Sequence, residues 1–489
     1  MSAWRLSDLG NDICRLVGEG RVEITGLASD SRAVRPGDLF AALSGSRAEG
    51  SRYIGDALAR GAAAVLGGSA LLEAPPVAPL LIAEDPRRAL ALIAARFYGR
   101  QPRHIAAVTG TSGKTSTASF VRQLWTALGH KAASIGTLGI EAPGHEPDAT
   151  LTTPEPIALH KALAGLAAEG VEHLGIEASS HGLDQRRLDG LRIEAAAFTN
   201  LARDHYDYHG GPEAYLAAKR RLFDTLLDSD GVAVLNADVP EFAALAGTAR
   251  ARRLRVLDYG RQAGDLRLLR VAPAGSGQEI EVEALGRRHA FASRLVGSFQ
   301  AHNLLAALGL AVGCGEAVED LLPHLAALQA PPGRMQLAAH HRSGAPAFVD
   351  YSHKPEALEQ ALLSLRPHTA GRLLVVFGCG GDRDAGKRPL MGEIAVRNAD
   401  LVYATDDNPR SEDPASIRRA ILASAPGALE VGDREEAIRQ AFAELRAGDA
   451  LLVAGKGHET YQIVGDRTLP FDDAEVLRRC ALESGGSVA

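Results

Sequence analysis

Cysteine is scarce in this chain, and its distribution excludes one class of fold. The four cysteines among 489 residues are Cys14, Cys314, Cys379 and Cys480, which lie far apart and form no CxxC motif. That spacing does not suit a disulfide framework, and scattered thiols are typical of proteins from a reducing compartment. We therefore expect a cytoplasmic protein.

An excess of positive charge and long apolar runs are also missing. The formal net charge is −7 at pH 7, which gives no broad basic surface for nucleic acid or an anionic membrane. The amino-terminal segment MSAWRLSDLGNDICRL has no long apolar stretch, so we expect neither a signal peptide nor membrane insertion. Small molecules are the expected partners, and the expected state is a monomer.

Regular alternation of apolar and helical segments predicts the fold class. Runs such as IAAVTG, HLGIEA and VAVLNA alternate with helical stretches, a pattern typical of a mostly parallel sheet. The segments GRQPRH and PPGRM interrupt this pattern at 99–104 and 331–335. We predict an α/β protein of three domains: a smaller amino-terminal α/β domain at 1–98, a central phosphate-loop domain with a mostly parallel sheet at 99–332, and a Rossmann-like domain at 333–489.

The segment VTGTSGKTS is typical of a phosphate-binding loop, but a short one. The standard pattern G-x-x-x-x-G-K places a glycine where this chain has Val108. The two remaining glycines let backbone N–H groups face an anion, and Lys114 opens a helix whose amino terminus favours phosphate. Lys114 would meet the β- and γ-phosphates, and the Thr115 hydroxyl would hold Mg²⁺. The predicted nucleotide-binding loop comprises Gly110, Thr111, Ser112, Gly113, Lys114, Thr115 and Ser116.

Candidate partners for the metal follow the loop in the sequence. Magnesium prefers oxygen ligands, and Glu177 ends a predicted strand at the same edge of the sheet; a capping or surface glutamate is the alternative. The segment TNLARDHYDYHG then brings Asp204, His205, Asp207 and His209. Zinc is conceivable there, although alternating Asp and His lack the usual zinc spacing. Lys219 lies in a predicted helix, where a lysine is ordinarily solvated.

The last third of the chain repeats one arrangement. The segments LLVVFGCGGDRD, DLVYATDDNPR and DALLVAGKGHE each place an apolar strand before a polar loop. Ligands of open α/β sheets bind at the carboxyl ends of strands, so these loops could line one crevice. The alternative is that they only connect strands and helices.

These motifs resemble those of a known family. GTSGKTS, IEASSHGLDQRR, TNLARDHYDYHG, AYLAAKRRLF, GSFQAHNLLAA and PPGRM, in that order, resemble the central domain of the Mur ligases, ATP-dependent amide-forming enzymes of peptidoglycan precursor synthesis, whose phosphate loop has this short form. SDSRAVRPGDLF resembles their uridine-nucleotide-binding domain, and the three carboxyl-terminal loops resemble their amino-acid-binding domain. The resemblance covers nearly the whole chain. Within the family, TTPE, DNPR and GKGHE indicate the member that adds a diamino acid to UDP-N-acetylmuramoyl-L-alanyl-D-glutamate.

The resemblance implies an acyl-phosphate route. The D-glutamate side-chain carboxylate would attack the γ-phosphoryl group of ATP, and an amine of the incoming amino acid would then displace phosphate. The implied catalytic residues are Lys114, Glu177, His205 and Lys219, of which Glu177 and His205, with Thr115, would place Mg²⁺. Lys219 would be carbamylated (N6-carboxylysine) and so serve as a metal ligand. Asn303 and Arg334 would approach the adenine or phosphates, and Asp350 the ribose.

The resemblance also assigns residues to the UDP-peptide. For the uridine diphosphate end these are Ser29, Ser31, Ser46, Arg47 and Ala48, and for the sugar and peptide they are Thr152, Thr153, Ser179, Gln185 and Arg187. Arginine and hydroxyl groups suit a polyanionic ligand. For Ser29 and Ser31 the alternative is turn formation.

In the resembled family, Asp-Asn-Pro-Arg marks members that choose meso-diaminopimelate over lysine. Diaminopimelate has a second amino-acid centre, whose carboxylate needs a cation and whose ammonium needs an anion. The implied residues are Arg383 and Arg410 for the carboxylate, Glu459 for the ammonium, and Gly455 with Asp407, Asn408 and Pro409 around them. A surface arginine in an ordinary loop is the alternative for Arg410. Asp413-Pro414 predicts the cap and first turn of the next helix.

Two positions depart from the family pattern. This chain has Asp-Tyr-Ser-His-Lys-Pro at 350–355 and GRMQ at 333–336, where Asp-Tyr-Ala-His-Thr-Pro and GRME are usual. Lys354 thus adds a positive charge near the expected nucleotide. Three other functions stay open at this point: the same ligase type with L-lysine as acceptor, a folylpolyglutamate synthetase-like ligase, and a non-catalytic nucleotide switch.

Overall fold

The computed structural model describes residues 3–43, 50–73, 75–145 and 151–489. The chain forms two compact units. The first contains Met1–Tyr259 with Ala306–Ala317, and the second contains Gly260–Leu305 with Val318–Ala489.

The amino-terminal part of the first unit is a small α/β sheet structure. Its elements are β1 (Trp4–Arg5), α1 (Leu6–Gly10), β2 (Arg15–Val17), β3 (Glu23–Ile24), β4 (Gly26–Ala28), β5 (Asp38–Ala41), α2 (Ile54–Ala59), β6 (Ala64–Gly67), β7 (Leu80–Ile82) and α3 (Pro86–Tyr98). The main sheet has the order β2-β7-β6-β5-β4, in which β4 to β7 are parallel and β2 is antiparallel. Apolar residues of α1 and α3 pack on one face and those of α2 on the other.

The rest of the first unit surrounds a larger, mostly parallel sheet. Its elements are β8 (His104–Thr109), α4 (Lys114–Ala127), β9 (Ala132–Gly136), β10 (Gly139–Glu141), α5 (Pro156–Ala168), β11 (His173–Glu177), α6 (Ser180–Asp184), β12 (Ile193–Phe198), α7 (Tyr206–His209), α8 (Pro212–Arg221), β13 (Leu227–Asn236), α9 (Phe242–Ala251) and β14 (Arg255–Gly260). The strand order is β10-β9-β11-β8-β12-β13-β14, with β10 antiparallel at the edge. Strand β8 lies between β11 and β12 and is parallel to both. The carboxyl ends of these three strands therefore meet at one place.

The apolar pattern of α4 explains how this helix is fixed on the sheet. Ala118, Val121 and Trp125 lie at helical spacing and are buried. Leu128 is partly exposed at the carboxyl-terminal cap, and Gly129 follows with φ +88°. Packing of its apolar face against the rest of the protein supplies most of the stability of a helix of this length. The predicted helix after the phosphate loop is thus confirmed.

The second unit begins with an antiparallel meander and continues into another α/β sheet. Its elements are β15 (Leu266–Ala274), β16 (Gly277–Ala284), β17 (Arg287–Ser293), α10 (Ser298–Gly313, of which 306–313 group with the first unit), α11 (Val318–Leu321), β18 (Gln336–His340), β19 (Pro346–Asp350), α12 (Pro355–Leu365), β20 (Leu373–Phe377), α13 (Lys387–Asn398), β21 (Leu401–Ala404), α14 (Pro414–Leu422), β22 (Leu429–Glu430), α15 (Arg434–Ala443), β23 (Ala450–Ala454), β24 (Tyr461–Val464), β25 (Arg467–Pro470), α16 (Asp473–Ser484) and β26 (Ser487–Val488).

The sheet of the second unit places the three predicted loops side by side. Its order is β22-β21-β20-β23-β19-β18-β26, and β19 to β23 are parallel. The loops after β20, β21 and β23 are the ones that carry GCGGDRD, TDDNPR and GKGHE. Because the three strands are neighbours, their loops leave the same edge of the sheet, as Rossmann-like ligand sites require.

The predicted segment boundaries fall in connections between elements. Residues 99–104 join α3 to β8, and α3 ends with Gly99 at φ +69°. The PPGRM segment precedes β18. The α/β fold class is confirmed, whereas the domain limits 98/99 and 332/333 stay predictions. Within the described residues, no helix has the length and apolar character needed to span a membrane.

Candidate active site

The phosphate loop follows the central strand β8, and its shape requires glycine. Gly110 has φ +147° and Gly113 has φ +89°, conformations that residues with a side chain rarely adopt. A Cβ on Gly110 would lie 1.9 Å from Thr199 Oγ1. Helix α4 begins directly after Gly113, so its unpaired N–H groups and its dipole favour an anion at the loop.

Residues after β12 brace the loop. Thr199 Oγ1 donates to the Ser112 carbonyl at 2.6 Å. Asn200 Oδ1 accepts from Ser112 N at 3.0 Å, and the Asn200 carbonyl accepts from Thr111 N at 2.9 Å. These bonds fix the loop backbone in one conformation. No local motif marks Thr199 or Asn200, although both stand in the quoted TNLARDHYDYHG segment.

Glu177 ends β11 beside the loop and is almost fully buried, with 1% of its surface exposed. Its Oε1 accepts from Thr137 N at 2.8 Å, and its Oε2 accepts from Thr137 Oγ1 at 3.3 Å. Glu177 and Thr115 line the same small cavity. A buried carboxylate and a hydroxyl together are oxygen donors of the kind that Mg²⁺ uses, so the residues present fit this ion. Thr137, which orients Glu177, was missed by the sequence analysis because a single threonine in a turn carries no motif.

Lys219 of α8 is buried, with 1% of its surface exposed, contrary to the solvated lysine that its helix alone suggests. Its Nζ donates to the Gly110 carbonyl at 2.7 Å and lies 4.3 Å from the centre of the Tyr215 ring. Burial lowers the pKa of Lys219 well below its usual range, Lys114 lowers it further, and Asp204 opposes both effects. The amine is therefore biased toward the neutral, nucleophilic form.

His205 is the amino-terminal cap residue of the short helix α7. His205 has φ +52°, its side chain is 45% exposed, and its Nε2 lies 3.3 Å from Asp204 Oδ2. Among the described residues, a group of three or more potential ligand atoms within 4.8 Å of one another occurs at His130, His173 and Glu316, and the segment with Asp204 forms no such group. The first two rings are stacked 4.2 Å apart at 25°, so their planes do not converge on a common ion. Neither place supports zinc.

The predicted sugar and peptide residues come together at the end of β11. Thr153 Oγ1 donates to the Glu177 carbonyl at 2.8 Å and lies 2.9 Å from Ser179 Oγ. Arg187 Nη1 donates to the Thr153 carbonyl at 2.7 Å, and its Nη2 donates to Gln185 Oε1 at 2.6 Å. The hydroxyl of Thr152, another predicted residue, is 3.1 Å from that of Thr137. The five predicted residues are therefore linked to Glu177 through Thr153 and Thr137.

Two of the predicted uridine residues, Ser29 and Ser31, follow strand β4 of the amino-terminal sheet. Ser29 is exposed just after β4, and Ser31 is buried in the following turn. In that turn Asp30 accepts from Arg32 N at 2.9 Å, so turn formation accounts for part of the segment. Ser46, Arg47 and Ala48 lie outside the described residues.

Asn303, Arg334 and Asp350 are linked within the second unit. Gln300 Nε2 donates to the Arg334 carbonyl at 3.2 Å, and Asn303 Nδ2 donates to Gln300 Oε1 at 3.0 Å. The N–H of Met335 donates to Asp350 Oδ2 at 2.7 Å. Burial raises the pKa of Asp350, and Arg334 opposes that rise.

The divergent Gln336 has a structural role, because its Oε1 accepts from Gly333 N at 2.9 Å and holds the PPGRM turn. Lys354 is the amino-terminal cap residue of α12.

Backbone and side-chain bonds tie the predicted acceptor loops together. Arg410 Nη1 donates to the Gly381 carbonyl at 2.8 Å, and Gly381 N donates to the Asn408 carbonyl at 2.9 Å. Asn408 Nδ2 donates to Glu459 Oε2 at 2.9 Å. Gly455 has φ +114°, and a Cβ at this position would lie 3.4 Å from Asp407 Oδ2. Arg383 is exposed in the first loop, and Pro409 is buried in the second.

The predicted cap after DNPR is confirmed, because Asp413 accepts from Ala415 N and Ser416 N at the start of α14.

Two buried cations in this region were missed by the sequence analysis. Lys456 Nζ lies 3.1 Å from Asn408 Oδ1 and 3.4 Å from Asp407 Oδ1. Arg434 makes a bidentate pair with Asp473 at 2.7 and 2.8 Å and donates to the Ala454 carbonyl at 3.0 Å. Lys456 stands inside the quoted GKGHE segment, which was a usable signal. No local pattern marks Arg434.

The fold and site define a class before any relative is considered. A glycine loop after the central parallel strand, an adjoining buried carboxylate and a separate Rossmann-like unit are typical of a nucleotide-dependent phosphoryl-transfer enzyme that binds a further substrate. Family models match residues 23–98 (Mur ligase family, catalytic domain), 108–311 (Mur ligase middle domain) and 333–457 (Mur ligase, glutamate ligase domain). The chain belongs to the Mur ligase family.

Individual relatives agree over nearly the full chain. A protein of Mesorhizobium japonicum named UDP-N-acetylmuramoyl-L-alanyl-D-glutamate--2,6-diaminopimelate ligase is 54% identical over 94% of this chain and 96% of its own. One of the same name from Caulobacter vibrioides is 51% identical over 97% and 98%. A solved structure with that name is 34% identical with a TM-score of 0.74 over 98% and 99%. A Mycobacterium tuberculosis folylpolyglutamate synthase, solved with ADP and AMPPCP, is 20% identical, with a TM-score of 0.62 over 76% and 92%, and shows the shared fold alone.

The close approach at Gly110 yields a testable prediction. Gly110→Ala should weaken binding of a fluorescent ATP analogue about 10- to 100-fold, because the new methyl group meets Thr199 and the backbone becomes strained. Gly129→Ala is the matched control, since Gly129 also has positive φ but a Cβ added there would meet nothing within 4 Å. Equal affinities for the two variants, measured alongside their melting temperatures, would contradict the requirement.

Proposed function

We propose that this protein is an ATP-dependent ligase that joins meso-2,6-diaminopimelate to the D-glutamate side-chain carboxylate of UDP-N-acetylmuramoyl-L-alanyl-D-glutamate. The product is the UDP-muramoyl tripeptide of peptidoglycan precursor synthesis. Relatives that carry this name match nearly the full chain. The structural observation that carries the proposal is the convergence of Arg410, Asn408 and Glu459 on one edge of the second unit's sheet.

The reaction proceeds in two transfers. A carboxylate oxygen of D-glutamate attacks the γ-phosphorus of ATP, the bond to the β–γ bridging oxygen breaks, and ADP leaves. The neutral amine of diaminopimelate then attacks the acyl phosphate, and the tetrahedral intermediate expels orthophosphate after losing a proton. Phosphorylation is needed because a free carboxylate has no leaving group that an amine can displace.

The chain's part in the first transfer is charge neutralisation and positioning. The backbone N–H groups from Gly110 to Lys114 and the Lys114 ammonium bind the β- and γ-phosphates. Asn303 and Arg334 are proposed for the adenine or phosphates, and Asp350 for the ribose. Such groups stabilise the charge on the phosphoryl group in the transition state, and they do not have to reorganise during the transfer.

Magnesium would be held by Thr115, Glu177, His205 and the carbamate of Lys219. When bound, this ion neutralises charge on the phosphate oxygens. Thr137 contributes by orienting the Glu177 carboxylate through two hydrogen bonds.

Carbamylation of Lys219 is supported by its surroundings. A carbamate forms when a neutral amine attacks CO₂ and loses a proton, and burial with a neighbouring lysine biases Lys219 toward that neutral form. The modification replaces a cation by a carboxylate-like group. Near the phosphates, the carbamate of Lys219 would then carry a negative charge and the ammonium of Lys114 a positive one.

The UDP-peptide is proposed to lie along the first unit. Its uridine diphosphate end is assigned to Ser29, Ser31 and the segment Ser46 to Ala48. Its sugar and peptide are assigned to Thr152, Thr153, Ser179, Gln185 and Arg187, which cluster beside Glu177. We propose that the peptide lies next to the candidate catalytic carboxylate.

Diaminopimelate is proposed to bind at the loops of the second unit. Arg383 and Arg410 would meet the distal carboxylate, Glu459 the distal ammonium, and Gly455 would offer its carbonyl, with Asp407, Asn408 and Pro409 shaping the loop. Lysine lacks the distal carboxylate, so its binding would leave a cationic fork unpaired, at a cost of several kcal/mol by analogy with other sites. We further propose a cytoplasmic monomer that has no nucleic-acid partner and does not insert into membranes.

Dependence of phosphate release on both substrates tests the function. With ATP and Mg²⁺, we expect orthophosphate to appear only when UDP-muramoyl dipeptide and diaminopimelate are both present, because the acyl phosphate is consumed by the amine. Mass spectrometry should show the tripeptide in equal amount. Phosphate release without an amine would indicate a nucleotide switch, release driven by a folate would indicate the folylpolyglutamate type, and a preference for lysine over diaminopimelate would overturn the acceptor.

The role of Arg410 is tested by comparing the KM for diaminopimelate with the KM for ATP. Arg410→Ala should raise the KM for diaminopimelate about 10- to 100-fold, as expected for loss of a charged hydrogen bond, and should leave the KM for ATP almost unchanged. Arg397→Ala is the matched control, since Arg397 forms an exposed pair with Glu359 at 2.7 Å, and such pairs contribute little. Equal changes in both constants for Arg410→Ala would remove its specificity role.

The carbamate is tested by isotope labelling. In buffer with ¹³C-bicarbonate, the protein should show a carbamate carbon resonance that Lys219→Met removes, and removal of CO₂ should lower activity reversibly. Lys161→Met changes an exposed lysine of α5 and should retain the resonance. An active enzyme whose resonance survives in Lys219→Met would contradict the assignment.

A further inference from the structure

Lys456 is the most deeply buried cation of the acceptor loops. Its side chain has no exposed surface, and its Nζ lies 3.1 Å from Asn408 Oδ1, 3.4 Å from Asp407 Oδ1 and 3.6 Å from Glu459 Oε2. It thus joins the loop after β21 to the loop after β23. Because it is covered, it is placed to act on its neighbours and not on a substrate directly.

The charges around Lys456 explain why a cation is needed there. The carboxylates of Asp407, Glu459 and Asp473 and the guanidinium of Arg434 all act on its ammonium. Without Lys456, three carboxylates would face one guanidinium. Burial raises the pKa of Glu459, and Lys456 is the largest influence that opposes the rise, while Asp407 adds to it. Lys456 therefore favours the ionised form of Glu459.

Lys456 and Asn408 also fix the orientation of the Glu459 carboxylate. Asn408 Nδ2 donates to Oε2 at 2.9 Å, and Lys456 faces the same oxygen. Within the described residues, the resolved contacts of this carboxylate fall on Oε2, and the side chain is 19% exposed. Neither of these two contacts uses Oε1, which is therefore the oxygen assigned to a ligand.

We propose that Lys456 is a positioning residue that holds the Glu459 carboxylate turned so that Oε1 receives the distal ammonium of the acceptor. This inference rests on the proposed function and adds a residue to it. Lys456 then determines whether the enzyme distinguishes acceptors with a distal ammonium from acceptors without one. Arg410, by contrast, binds the distal carboxylate. An acceptor without the ammonium should gain nothing from Lys456.

The test compares two acceptors that differ at one group. The probes are meso-diaminopimelate and 2-aminopimelate, which has the same carbon chain and both carboxylates but hydrogen in place of the distal ammonium. Lys456→Met keeps the length of the side chain and removes its charge. It should raise the KM for diaminopimelate about 10- to 100-fold, while changing kcat, the KM for ATP and the KM for 2-aminopimelate by no more than about threefold. A merely structural defect would affect both acceptors alike.

A double-mutant cycle shows whether Lys456 acts through Glu459. In the Glu459→Gln background, Lys456→Met should have little further effect on the ratio of kcat/KM for the two acceptors. Lys456→Gln is a second variant that retains a hydrogen bond to Asn408 and should lose the same discrimination. Melting temperatures identify variants that are folded and suitable for comparison.

The possible results distinguish failure of the Lys456 inference from failure of the proposed function. If the unchanged enzyme uses neither acceptor, the proposed function is wrong and this inference falls with it. If the unchanged enzyme prefers diaminopimelate and folded Lys456 variants keep that preference, only the role of Lys456 is overturned. The inference is supported if Lys456→Met and Lys456→Gln lose the preference for diaminopimelate, and if Lys456→Met adds no further loss in the Glu459→Gln background.

Discussion

The carbonyl oxygen of Gly110 accepts one hydrogen bond from Lys219 at 2.7 Å and another from Lys114 at 2.9 Å. Two amines that meet at one backbone atom cannot both be charged without cost, because like charges disfavour each other's ionised form. The one that is covered, Lys219, is pushed toward the neutral form. Under the proposed function Lys114 would bind phosphate and Lys219 would be modified, and this division depends on the loop conformation that only glycine allows at position 110.

Buried charged groups also determine the arrangement of the second unit. Parallel strands β20, β21 and β23 bring three loops to one edge, and buried charges then fix those loops against each other. Arg434 joins α15 to α16 through Asp473 and reaches the carbonyl of Ala454, one residue before the GKGHE loop, and that of Asp406, within the TDDNPR loop. Removing one partner of such a buried pair leaves an uncompensated charge. Local loop geometry in this unit is therefore coupled to long-range ion pairs.

The sequence predicted what depends on local pattern. Strands β8, β11, β13, β20, β21 and β23, the helix after the phosphate loop and the cap at Asp413 were all expected from apolar runs, glycine positions and helix-start residues. Residues whose role comes from distant partners were not expected. Arg434 contacts groups 20, 28 and 39 residues away, and helix periodicity gave no sign that Lys219 would be buried. Long-range packing decides both, so no local pattern reports them.

The central claim is that this enzyme activates a carboxylate by phosphorylating it, and the fate of the carboxylate oxygen tests that claim most directly. UDP-muramoyl dipeptide labelled with ¹⁸O in the D-glutamate side-chain carboxylate is converted with unlabelled ATP and diaminopimelate, and the orthophosphate is analysed by mass spectrometry. The acyl-phosphate account predicts that each released phosphate carries one oxygen from the labelled carboxylate. Tripeptide formation with orthophosphate that contains no label would contradict it.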